Sequence, residues 1–202
     1  MKLYYSPGAC SLSPHIVLKE AGLKFDAVLA STKTHKLADG TDYYTLNPKG
    51  YVPLLELDNG QRLAEGPAIV QYVADQVPEK KLAPAYGTME RYRVMEWLTF
   101  IGTEVHKSFS PLFNPAMNEE GKAVYRKKVL ERLTWVDSQL AGKNYLMGDT
   151  FTVADAYLFT VSRWSPFVGV DITGLANLNA FIARVGARPA VQEAMKAEGL
   201  LK

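Results

Sequence analysis

Only one of the 202 residues is a cysteine, Cys10. An intramolecular disulfide framework is therefore excluded, and no second thiol can resolve a mixed disulfide within the chain. The three histidines, His15, His35 and His106, lack metal-ligand spacing, so no metal is expected. Neither a Gly-x-Gly-x-x-Gly nor a P-loop pattern occurs, which argues against dinucleotide and nucleotide chemistry. No apolar run approaches the ~20 residues of a membrane-spanning helix. The chain turns polar and Pro/Gly-rich soon after Met1, so no signal-peptide core is expected either. A net charge of +2, from 23 Lys and Arg against 21 Asp and Glu, favours neither nucleic acid nor an anionic membrane as a partner. The single cysteine fits a reducing cytoplasm.

What is present is the composition of a globular protein, 48% hydrophobic and 22% charged, with enough chain for one large or two small domains. Residues 1–80 mix strands and helices. Lys2 to Tyr5 reads as a strand and Ser6-Pro7-Gly8 as a turn. Ser13-Pro14 is expected to cap a helix carrying Leu12, Ile16, Val17 and Ala21, with Gly22 as its stop. Phe25 to Leu29 is a second strand, and Leu54 to Leu57 is another that follows Val52-Pro53. Asp58-Asn59-Gly60 turns the chain back into Gln61 to Ala64, and Gly66-Pro67 opens a helix. The order predicts a mixed sheet with one crossover and a terminal hairpin. Residues 81–87 are a linker within a Pro- and Lys-rich stretch.

From 88 to 202 the pattern is helical. Val94, Leu98, Ile101 and Val105 form one apolar stripe, and Val124, Leu130, Leu133, Val136 and Leu140 a second. Thr152-Val-Ala-Asp155 fits a capping box. Leu175 to Val185 and Pro189 to Ala197 add two helices.

Four places can carry chemistry. A thiol at a helix start, such as Cys10, meets exposed N–H groups that favour its anion, although a lone cysteine is as often a small core residue. Val52-Pro53 leads straight into a strand; a cis bond there would turn the Val52 backbone groups outward, whereas a trans bond is commoner. Glu65 can accept from an ammonium group, and Gly66, expected as a helix cap, offers a backbone donor; a carboxylate complementing the helix dipole is the plainer reading. On the long helix after the linker, Thr99, Thr103, His106 and Ser110 are spaced to share one polar face. Such a face usually meets water, but His106 followed by Lys107 can support a thiolate.

Together these stretches form a recognisable set. The sequence resembles bacterial beta-class glutathione S-transferases along essentially its whole length, through YYSPGACSLSPHI, NPKGYVPLLEL, AEGPAIVQYVAD, VHKSFSPLFNP and GDTFTVADAYLF in that order. The resemblance implies an α/β thioredoxin-like N-terminal domain (1–80) that holds glutathione as co-substrate. It also implies an all-α C-terminal domain (88–202) with a pocket for a hydrophobic electrophile, and a homodimer. By position, Cys10 matches the cysteine facing the glutathione sulfur, and Val52 the residue before a cis-proline, Pro53, whose backbone pairs with the cysteinyl unit. Glu65 and Gly66 match the pair holding the γ-glutamyl end. His106 and Lys107 match groups near the thiol, and Glu104 an acidic contact across the dimer. Two departures stand out. Gly66 replaces a frequent serine, and His35 a frequent lysine, which leaves Lys33, His35 or Lys36 to meet the glycyl carboxylate.

The implied reaction is attack of the glutathione thiolate on an electrophilic carbon, with Cys10, Ser11 and His106 as catalytic candidates and Phe109, Phe113, Trp164 and Phe167 as an apolar wall. A model thiol titrates near ~8.5. Lowering that by two units needs ~2.7 kcal/mol of preference for the anion. Two alternatives remain open: redox chemistry through a Cys10 mixed disulfide, covering thiol transfer and reductive dehalogenation, and a non-catalytic protein of the same fold.

Overall fold

A computed structural model describes residues 1–201. The chain divides into two compact units, one of Met1–Ala83 together with the segment from Arg188 onward, the other Pro84–Ala187.

The first unit is built on a four-stranded sheet of β1 (Lys2–Tyr5), β2 (Asp26–Leu29), β3 (Leu54–Glu56) and β4 (Arg62–Ala64), in the order β2-β1-β3-β4. β1 runs parallel to β2 and antiparallel to β3, which pairs antiparallel with β4. This is the expected crossover and hairpin. Leu3 faces Ala27 on one side and Leu55 on the other, and Leu3 and Leu55 are fully buried, so the apolar centre lies in the two inner strands.

Helix α1 (Leu12–Ala21) is buried around most of its circumference, because α2 (Gly66–Gln76) and α8 (Pro189–Ala197) pack on it. Its start differs from the expectation at Ser13. Ser11 precedes the first helical residue, Ser13 lies buried inside, and Pro14 occupies the third position, where its missing N–H costs nothing. The chain winds early because Ala9 N–H donates to Ser6 and Leu12 N–H to Ala9. Gly22 ends the helix as expected, in the left-handed region at φ 69°, with its N–H on the Leu18 and Lys19 carbonyls.

Helix α8 comes last in the sequence but groups with the first unit. Its periodicity shows that it has an apolar face, of Val191, Ala194 and Met195, but not what that face covers. It covers α1. Arg188 grips Glu20 with two nitrogens at 2.6 and 2.9 Å, and Glu198 accepts from Gly8 N–H at 2.9 Å while its other oxygen lies 2.8 Å from His15 Nδ1.

The second unit is helical: α3 (Met89–Phe100), a π-helical segment Ile101–His106, one turn α4 (Lys107–Phe109), a 3-10 turn Ser110–Phe113, α5 (Glu119–Gln139), α6 (Val153–Ser162) and α7 (Ala176–Gly186). Thr88 caps α3 through Arg91 N–H. The stripe Val94, Leu98, Ile101 and Val105 is buried as expected. On α5 the core is Val129, Leu133 and Val136, whereas Val124 is 64% exposed. The Thr152/Asp155 capping box forms, and Asp155 also accepts from Leu146 N–H. Phe151 packs on Tyr145, at 5.7 Å between centroids. Among the described residues, no helix is long and apolar enough to cross a membrane.

Candidate active site

The first unit gathers most of the candidate groups at the loops on one side of β1 and β3. Cys10 ends the Ser6–Cys10 turn, and its Sγ donates to the Val52 carbonyl at 3.3 Å. The Val52–Pro53 bond is cis. Val52 is buried and its N–H meets no partner among the described residues. The loop before it is closely held. Tyr43 Oη and Asn47 Nδ2 both donate to the Tyr51 carbonyl, at 2.9 and 2.7 Å, and Asn47 Oδ1 accepts from Lys49 N–H. Burial pushes the Tyr43 phenol up to about 12, so it remains a donor at any neutral pH.

Glu65 precedes α2 at φ 69° and ψ 113°, a conformation that costs a side-chain-bearing residue of order 1–3 kcal/mol and tends to occur at ligand sites. Its carbonyl accepts from Ala68 and Ile69, and its carboxylate is held by Lys49 Nζ at 2.8 Å. Gly66, expected as the cap, is instead the first helical residue. A Cβ added there would meet Pro53 Cγ at an ordinary 3.8 Å, so the position has room for a serine.

His35 lies in the left-handed region at φ 51°, with its ring stacked on Tyr44 at 4.6 Å. Its Nδ1 is buried without a hydrogen-bond partner. It faces Gly50, whose own φ of 69° leaves no room for a side chain: a Cβ would come within 2.6 Å of the Tyr44 ring. Lys33 and Lys36 are exposed.

Ser11 is engaged within its own loop. It is fully buried, and its hydroxyl accepts from Ser6 N–H at 3.1 Å and donates to Ser6 C=O at 3.2 Å. With donor and acceptor both engaged, the hydroxyl closes the loop that carries Cys10.

In the second unit Thr99, Thr103 and Ser110 are exposed, whereas His106 is half-buried. The π-helical segment widens the winding from Ile101 onward, which shifts the later residues round the axis. Thr99 and Thr103 bond back to the Met95 and Thr99 carbonyls. His106 turns into its own unit, with Nδ1 2.6 Å from Tyr157 Oη and its ring 5.0 Å from that of Trp164. Trp164 also meets Phe109 and Phe113, each at 5.7 Å, while Phe167 is 78% exposed and stands outside this cluster. Glu104 accepts from Arg132 at 2.9 Å within the chain, and Lys107 is exposed.

Tyr43, Asn47, Lys49 and Tyr157 were not singled out from the sequence. Asn47-Pro48 carries the turn chemistry that marks the first loop, but nothing local pairs Tyr157 with His106 across 51 residues. Among the described residues, no group of three or more His, Cys, Asp or Glu could hold a metal ion.

Residues 8–76 match the family described as glutathione S-transferase, N-terminal domain, and residues 100–189 that described as glutathione S-transferase, C-terminal domain. The chain is 46% identical over 200 residues to glutathione S-transferase GstA of Escherichia coli O157:H7, covering 99% of this chain and 100% of that one. Among solved structures, it is similar to a sphingomonad glutathione S-transferase complexed with glutathione, with 47% identity, TM-score 0.96 and full coverage of both chains. It is similar also to a bacterial beta-class glutathione S-transferase of Sphingomonas chungbukensis, at 48% identity and TM-score 0.97, again over both whole chains. The α/β sheet of the first unit and the helices of the second match the glutathione S-transferase fold, and the chain belongs to the glutathione S-transferase family.

Proposed function

We propose that glutathione lies along the Val52–Pro53 segment with its cysteinyl unit paired to the Val52 backbone and its sulfur beside Cys10. The observation that carries this reading is the 3.3 Å contact of Cys10 Sγ with the Val52 carbonyl, next to an N–H that has no partner among the described residues. An extended peptide satisfies such an N–H with its own carbonyl. The ammonium of the γ-glutamyl end meets the Glu65 carboxylate, and its α-carboxylate meets the Gly66 N–H at the start of α2. The glycyl carboxylate goes to Lys33 or Lys36, since His35 Nδ1 is packed against Gly50. The assignments of His106 and Lys107 to thiolate support rest on the family resemblance.

The reaction follows from these contacts. The glutathione thiol gives its proton to solvent, and the thiolate attacks an electrophilic carbon. A C–S bond forms as the leaving group departs with the bonding pair, or as the adduct takes up a proton. The exposed ring of Phe113 against Trp164 offers apolar surface to a hydrophobic electrophile, whereas Phe109, expected in that wall, is fully buried behind Trp164. Ser11 takes no chemical part in this scheme.

The place of Cys10 favours a second chemistry at the same site. Its thiolate can attack oxidised glutathione, forming a protein–glutathione disulfide and releasing one reduced glutathione. Intact mass after treatment with oxidised glutathione separates the roles. The expected result is one added glutathione, removed by reductant and absent in Cys10→Ala. No adduct, with Cys10→Ala at full activity towards an aryl halide, would show that the thiol lies outside the chemistry. We also propose a cytoplasmic homodimer acting in detoxification. Light scattering at micromolar concentration should give twice the chain mass.

A further inference from the structure

We propose that Tyr43 and Asn47 are positioning residues that aim the Val52 N–H at glutathione. The inference rests on the reading above, in which that N–H pairs with the cysteinyl unit. A carbonyl oxygen has two lone pairs, and on Tyr51 both are occupied, one by Tyr43 Oη at 2.9 Å and one by Asn47 Nδ2 at 2.7 Å. The Tyr51 C=O and the Val52 N–H belong to one planar trans peptide unit and point in opposite directions. Fixing the oxygen from one side therefore fixes the direction of the N–H on the other.

Both donors are themselves held. Tyr43 is 1% exposed and packs with Tyr4, Val52 and Leu54 in one apolar cluster. Asn47 is buried, its N–H donates to the Tyr43 carbonyl, and its side chain spans the loop: Oδ1 takes Lys49 N–H while Nδ2 gives to Tyr51. These two partners admit only one orientation of the amide. The second carbonyl of the segment, on Val52, receives the Cys10 thiol. The Val52 N–H is thus a buried donor that this loop leaves for a ligand, and Tyr43 and Asn47 set its direction.

The test uses the full chain with Tyr43→Phe, Asn47→Ala and Asn47→Asp. Steady-state kinetics would be measured in glutathione and in an aryl halide, together with thermal melting and the Val52 amide resonance. Loss of one donor should raise the glutathione KM roughly two- to tenfold, with the aryl-halide KM changed by less than about twofold. Asn47→Asp should give the largest rise, because it keeps the acceptor for Lys49 but turns an anion toward the Tyr51 carbonyl. Melting lowered with both KM values unchanged, or both raised alike, would overturn the inference. Tyr43→Phe, which keeps the ring, guards against a variant that fails to fold. The resonance separates this inference from the reading beneath it. If glutathione binds the unmodified protein without moving the Val52 amide, the pairing itself is wrong. If the amide moves and the variants keep their glutathione KM, the pairing stands and the positioning role falls.

Discussion

The two units place their candidate groups by different means. In the first, the groups proposed to meet glutathione are main-chain groups or neighbours of them, set by turns: the Val52 peptide, the Gly66 N–H, and Glu65 at φ 69°. The side chains around them, Ser11, Tyr43 and Asn47, work on backbone carbonyls and N–H groups. In the second unit the group of interest is a side chain, His106, brought to Tyr157 and Trp164 by a change of helical winding. A peptide ligand can be read by backbone because every peptide offers the same donors and acceptors. A varied electrophile needs exchangeable side-chain surface. The first site should therefore be sensitive to changes in loop geometry, and the second to changes in the side chains that hold its helices.

The largest effect should come from Asp155→Ala. Its buried carboxylate accepts from Leu146 N–H, Thr152 N–H and Thr152 Oγ1 at 2.7–3.0 Å, and truncation strands these donors at the start of α6, which carries Tyr157. A loss of about 3 kcal/mol is expected in urea unfolding. Gly50→Ala is the counterpart in the first unit. It puts a Cβ at positive φ against the Tyr44 ring, at a cost of about 2 kcal/mol, and should raise the glutathione KM more than the electrophile KM. Equal rises would erase the distinction drawn between the units.

The next effect is alkaline. Burial raises the Tyr43 phenol from 10.0 to about 12, so the folded chain holds its proton over a range in which the unfolded chain has lost it. The resulting stability is complete below pH 10 and is lost as pH rises from there towards 12, on the order of 2 kcal/mol in all. Urea midpoints measured across this range should fall less steeply in Tyr43→Phe. A residual slope remains from Tyr4 and Tyr5, whose phenols burial also raises. The smallest change is Gly66→Ser. The position has room for the side chain, and one added hydroxyl donor is worth ~1 kcal/mol, so calorimetry should show glutathione binding several-fold tighter. Unchanged affinity would place the γ-glutamyl end away from the start of α2.

Local chemistry determined much of this protein from its sequence alone. The crossover and the hairpin follow from the strands and turns, though not the pairing of β1 with β3; the Gly22 stop, the Thr152/Asp155 box and the limits of α8 follow from residues that lie next to each other. The same holds for the order of Cys10, Val52-Pro53 and Glu65-Gly66, which was legible as a set of turns and helix starts. The tertiary structure alone decided whatever depends on a distant partner. The apolar face of α8 was visible, but its docking on α1 was not. Ser11 looked like a hydroxyl near a thiol until the fold of its loop brought it onto both backbone groups of Ser6. Thr99, Thr103 and His106 are spaced to share a face at 3.6 residues per turn, and the π-helical segment changes that winding. Tyr43 and Asn47 converge on Tyr51, and Lys49 on Glu65, because closing the loop against the sheet brings their atoms within hydrogen-bonding distance.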